Sequence, residues 1–118
     1  MKKEYKNQKK IFEELMGEIY KLAEITTKRM FGYESFFTQG KCFAGVRNLG
    51  NATSVVLKLS SKDYSETIKE SLFSPFRNTK DWVECKATSP RDVIKLMAWI
   101  ELSYAYAHKV GDRRGNSC

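Results

Sequence analysis

Apolar residues recur at helical spacing at Ile11, Phe12, Leu15, Ile19, Leu22 and Ala23, while Glu13, Glu14, Glu18 and Lys21 take the other side. The pattern predicts an amphipathic helix over residues 11–27, with Glu24 and Lys28 as an i,i+4 pair at its end. The lysines upstream of Ile11 oppose the helix dipole and predict a frayed start. Beyond Thr27 the period changes. Met30-Phe31-Gly32-Tyr33 and Phe36-Phe37-Thr38 are aromatic and β-prone, and predict a strand over residues 29–38. Gln39-Gly40 then offers a hairpin turn of unspecified type into a strand over residues 41–47. A second turn, Asn48-Leu49-Gly50-Asn51, leads to a strand whose alternation puts Val55, Leu57 and Leu59 on one face.

The second half of the chain reads as helix, two strands and helix, with no internal repeat of the first. Asp63 with Glu66 reads as a capping box for a short helix carrying Tyr64, Ile68 and Leu72. Pro75 ends it, Phe73-Ser74-Pro75-Phe76 runs extended, and Asn78-Thr79-Lys80-Asp81 turns the chain into a strand over residues 82–86. Ser89-Pro90 supplies an N-cap and a first-turn proline for a last helix to about His108, with Val93, Ile94, Met97, Ile100 and Tyr104 on its apolar side and Gly111 just past its end. The expected fold is α+β: a two-layer sandwich in the order α-β(3)-α-β(2)-α, with a mostly antiparallel sheet and helices packed on one face. With 118 residues the chain holds one domain over residues 11–108, between a basic, mobile N-terminal segment 1–10 and a polar C-terminal tail 109–118.

Charge changes this picture less than its total suggests. Of the net +7, residues 1–10 carry +4 and residues 108–118 carry +2, so the body is nearly neutral. No apolar run is long enough for a bilayer and no signal-peptide pattern opens the chain, so a cytoplasmic protein is expected. Cys42, Cys85 and Cys118 lack the spacing of a zinc site or a redox dithiol, and Cys42 and Cys85 read as small apolar strand residues. His108, the single histidine, is expected to serve the end of the last helix. No nucleophile with its base, metal cluster, phosphate loop or carboxylate pair emerges, so neither a catalytic residue nor a metal or cofactor is expected.

Two features remain as candidate binding chemistry. Arg29, Lys41 and Lys58, with Arg47, are strand-associated cations that could form a modest anion-attracting face. The fifteen aromatic residues offer stacking surfaces, although Phe31, Phe36 or Phe37, Phe43, Phe76 and Trp82 fall where a small sheet needs core filling.

Arg29-Met30-Phe31-Gly32-Tyr33, then Gly40-Lys41-Cys42-Phe43-Ala44 and Leu57-Lys58-Leu59, resemble the N-terminal domain of the TfoX (Sxy) competence-regulator family, whose pattern is Arg-x-Met-Phe-Gly; the spacer is missing here. Asn78-Thr79-Lys80-Asp81-Trp82-Val83 and the run from Ile100 to Ala107 are similar to the related YjbR-like proteins, so the resemblance spans about residues 11–108. It implies an α-β(3)-α-β(2)-α fold and no established catalytic residue. TfoX proteins are regarded as transcriptional co-regulators that pair this domain with a second one, for which this length is expected to leave no room. Arg29, Lys41, Lys58 and Trp82 match recurrent motif positions and become the candidate binding residues.

The expectation is therefore a small non-catalytic regulatory or interaction module that acts on transcription through a protein partner. A nucleic-acid binder of YjbR-like type, using basic tails and a basic sheet face, is the first alternative, and a small-ligand binder the second. An exposed sheet edge would also let two copies pair.

Overall fold

The computed structural model describes residues 2–76, 79 and 81–114, with side chains over 9–76, 79 and 81–110. In chain order they form α1 (Lys2–Tyr20), β1 (Ile25–Met30), β2 (Tyr33–Thr38), β3 (Lys41–Asn48), β4 (Thr53–Lys58), α2 (Ser61–Thr67), β5 (Phe73–Pro75), β6 (Trp82–Ala87) and α3 (Pro90–Arg114). Asn78 and Lys80 of the expected turn, Cys118 and residues 115–118 of the expected tail lie outside the described residues. The strands make one antiparallel sheet in the order β1-β2-β3-β4-β6-β5. Three-residue β5 closes one edge with Pro75, which has no N–H to offer a further strand.

The two-layer α+β arrangement matches the expectation, but the meander has four strands where three were expected, giving α-β(4)-α-β(2)-α. The segment over 29–38 is split because Phe31 and Gly32 take φ of 54° and 82°, the two consecutive left-handed residues of a type I′ hairpin. Gln39 and Gly40, at 54° and 76°, make the next turn in the same way.

Helix α1 also stops at Tyr20 rather than near Thr27. The N–H of Leu22 bonds the Ile19 carbonyl at 3.0 Å, Glu24 turns the chain at φ 56°, and the β-branched Ile25-Thr26-Thr27 enter a strand. Glu24 accepts a hydrogen bond from Gln39 Nε2 at 3.4 Å across the strand ends, so the expected partnership with Lys28 gives way to a tertiary one. The backbone of α1 reaches back to Lys2 and that of α3 runs on to Arg114, past the expected limits at 11 and 108.

Capping was half legible. Ser89 Oγ accepts from the Asp92 N–H at 3.3 Å with Pro90 in the first turn, as expected. Helix α2 is capped by Ser60, whose Oγ accepts from the Asp63 N–H at 3.2 Å, three residues ahead of the expected Asp63.

Ile11, Leu15 and Ile19 of α1 and Val93, Leu96, Ile100 and Ala107 of α3 bury the sheet face that carries Phe36, Phe43, Leu57 and Val83. Ile94, expected on that side of α3, is exposed, because the buried stripe runs through 93, 96, 100, 103 and 107. A bulge interrupts the β2–β3 ladder: Phe36 pairs with Ala44 and Phe37 with Cys42, leaving Phe43 without a cross-strand partner on that side. The β3–β4 register runs from Asn48 opposite Thr53 to Ala44 opposite Leu57. Just past that end, the carbonyls of Phe43 and Lys58 both accept from the buried Ser103 Oγ of α3, at 2.7 and 2.6 Å. One hydroxyl proton is thus shared between two carbonyls at the end of the β3–β4 register. Ser103→Ala should lower stability by about 1–3 kcal/mol in chemical denaturation. A loss within experimental error would mean that water or another group serves those carbonyls.

Candidate functional site

Side chains directly opposite one another in a sheet share a face, so the register sorts the strands into a covered and an open side. Phe36, Leu57 and Val83 lie beneath the helices; Tyr33, Cys42, Gly45, Val56 and Trp82 alternate with them and lie on the open side. There they line a cavity of about 290 Å³, walled further by Phe31 at the β1–β2 turn and Phe76 after β5. Gly45 keeps its floor low: a Cβ there would stand 3.0 Å from Val56 Cγ2 and 3.4 Å from Tyr33, so any side chain would crowd both neighbours.

Tyr33 is fixed from several directions. Its ring meets Phe76 edge-on with centroids 6.3 Å apart, and the Arg47 guanidinium stands 5.9 Å from its centroid. Ser54 gives its single proton to Glu84 Oε2 at 2.8 Å, so the Tyr33 hydroxyl, 3.3 Å away, donates to Ser54. With its hydroxyl so engaged, Tyr33 lines the cavity without a free proton to donate.

The candidate residues divide. Lys41, Lys58 and Trp82 come together around a second, smaller cavity of about 120 Å³, where β3 begins, β4 ends and the last turns of α3 pass. Lys58 Nζ lies 3.8 Å from Asp81 Oδ2, a loose and partly exposed pair. Arg29 is elsewhere, on β1 opposite Glu34. The expected common face of Arg29, Lys41, Arg47 and Lys58 is thereby corrected: pairing puts Arg47 and Lys58 on the open side, and Arg29 and Lys41 on the side of the helices. Lys28 and Lys86, register neighbours of Ser35 and Ser54, join Arg47 and Lys58 on the open side.

Phe31, read from sequence as core, is 83% exposed at the tip of its hairpin. Phe36 and Phe43 are buried as expected, while Phe76 and Trp82 are half-buried around the cavity. A bulky residue in the left-handed region costs about 1–2 kcal/mol relative to its ordinary conformations. The available signal was the Phe-Gly pair, a poor match to the Asn-Gly such turns prefer.

His108 is not at a helix end: it lies within α3, stacks on Tyr104 at 5.7 Å, and its Nδ1 is 3.0 Å from Thr38 Oγ1 of β2. Among the described residues no three His, Cys, Asp or Glu side chains gather as a metal ligand set. None of the described helices is long and apolar enough to cross a membrane.

A family model for the TfoX N-terminal domain matches residues 18–107. The chain belongs to that family. A crystal structure of a protein from Pseudomonas syringae shares the fold, with a TM-score of 0.64 at 13% identity over 80% of this chain and 97% of that one. No curated protein matches the chain. In this TfoX N-terminal domain the Arg-Met-Phe-Gly motif is the β1–β2 hairpin tip, and Gly-Lys-Cys-Phe-Ala runs from the second hairpin turn into the bulge that Ser103 serves.

Two outcomes follow. Phe31→Asn, which suits the turn and gives up little packing, should stabilise the domain by up to about 1 kcal/mol in urea unfolding; a loss would show that the Phe31 ring packs more than its exposure implies. Cys85 is 1% exposed, and burial, with Asp92 and Glu84 adding to it, pushes its thiol up to about 12 from 9.0. Its contribution to stability should be complete below pH 9.0 and be lost as pH rises from there toward 12, and peptide mapping should show Cys85 alkylated at pH 8 only as fast as the fold opens. Rapid alkylation of Cys85 in the native state would contradict its burial.

Proposed function

We propose that this chain is a non-catalytic regulatory module of the cytoplasm that acts on transcription through a protein partner docked on its open sheet face. The observation that carries the reading is Phe31: an almost fully exposed aromatic ring, held at φ 54° beside an apolar cavity. Nothing in the hairpin rewards that choice, since Asn or Gly would sit there without strain. An apolar partner surface would, by burying roughly the 150–250 Å² that a large aromatic side chain offers. A strained aromatic at a surface tip is the kind of residue that dominates protein interfaces. The transcriptional part of the reading rests on membership of the TfoX family.

Placing the photo-crosslinker p-benzoylphenylalanine at position 31 in cells should give one dominant protein adduct, and the same group at Glu70, between α2 and β5 and outside the cavity lining, should not. The placement of Lys28, Arg47, Lys58 and Lys86 on the open side, around Tyr33 and Trp82, gives the nucleic-acid reading its footing. Adducts removed by nuclease rather than protease would establish that reading in place of ours, and no adduct at position 31 would end both.

A further inference from the structure

We propose that the two adjoining cavities form one binding site for a small amphipathic carboxylic acid, its apolar group over Gly45 and Val56 and its carboxylate between Lys41 and Lys58. The larger cavity, at about 290 Å³, is at the lower end of the range of ligand sites and roughly twice the ~150 Å³ of an engineered cavity that takes up benzene. That is room for a two-ring aromatic group or a short branched chain.

Its walls are aromatic and aliphatic, and their polar groups are few. The Tyr33 hydroxyl is already spent on Ser54, and the Thr79 hydroxyl donates to the Phe76 carbonyl at 2.8 Å. The Ser35 hydroxyl also lines the cavity, but a nucleobase or sugar buried there would leave most of its hydrogen-bonding groups without partners, at a cost of about 1–3 kcal/mol for each. A hydrocarbon or aryl group loses nothing.

The charged end of the site comes from the smaller cavity. It shares Cys42 and Trp82 with the larger one, so a molecule lying along Trp82 reaches both. Among the described side chains, neither cation of the smaller cavity is held in a close ion pair. The Lys58–Asp81 separation of 3.8 Å is well beyond the 2.7–2.9 Å of a strong charge-assisted bond. Lys41 has no carboxylate within 4.0 Å among the described side chains. One carboxylate is matched by that pair, and the volume of about 120 Å³, part of it already bounded by Tyr106 and Val110, leaves no space for a polyphosphate. Phe76, Thr79 and Trp82 form one rim of the pocket and the Phe31 turn forms the other.

This site does not depend on the protein-partner reading, since its ligand is small and its test needs no partner. Calorimetric titration of the full chain with 1-naphthylacetate should show one-to-one binding, and the neutral isostere 1-naphthylacetamide should bind about tenfold more weakly. Lys41→Met with Lys58→Met should erase that preference by weakening the acid alone, and raising the salt should shrink it in the wild type. Val56→Phe, which fills the cavity, should weaken acid and amide together; the two lysines are partly exposed, so their variant carries the test even where the filled core does not fold. Equal affinity for acid and amide, no binding of either, or a preference that survives loss of both lysines would overturn the proposal.

Discussion

Phe36, Phe43, Leu57 and Val83 project from neighbouring strands into one layer, where Leu15 and Ile19 of α1 and Leu96 and Ile100 of α3 close over them. Because strand side chains alternate, fixing those residues beneath the helices commits their neighbours to the other side. A slip of one residue in any strand would exchange the two sets, exposing the core and burying lysines. The open face, with its cavity and its cations, is thus a consequence of how the covered face packs.

The bulge at Phe43 is where this packing meets the backbone. It lets Phe43 and Ala44 both join the buried cluster while Cys42 stays on the cavity side, at the expense of one interrupted step in the ladder. Ser103 donates to the Phe43 and Lys58 carbonyls there, tying α3 to β3 and β4 at the same point. That junction lies next to Lys41, Cys42 and Lys58, so the hydrogen bonds that seat α3 also set the shape of the smaller cavity. Among the described residues the Lys21–Glu18, Lys58–Asp81 and Lys69–Glu66 ion pairs are all substantially exposed, and such pairs are worth about 0–1 kcal/mol each. Apolar burial decides the fold, and the lysines are left for other uses.

Local strain and open apolar surface coincide on the face without a helix. Phe31 keeps an unfavourable backbone and an exposed ring at one rim, Phe76 and Trp82 form the other, and Gly45 keeps the floor clear. Of these, Phe31 is the choice that stability alone would not make. Membership of the TfoX N-terminal-domain family and the likeness to the Pseudomonas syringae structure fit the scaffold, whereas the partner reading rests on this face.

By itself the sequence determined the elements whose signals are local. The apolar stripe from Ile11 to Ile19, the Val55-Leu57-Leu59 alternation and the Ser89-Pro90 helix start each arise within a few residues, so periodicity and capping chemistry suffice to read them. The same local logic failed where competing local signals were nearly equal. A continuous aromatic run hid the Phe31-Gly32 turn, and the Asp63–Glu66 pair drew the helix start three residues past its actual cap at Ser60. Only the tertiary structure decided what depends on contacts between distant segments: the insertion of β6 between β4 and β5, the bulge that Ser103 stabilises, and the meeting of Lys41, Lys58 and Trp82 while Arg29 stays apart. Sheet order and register are chosen by the burial of a whole face at once, and no short stretch of chain contains that sum.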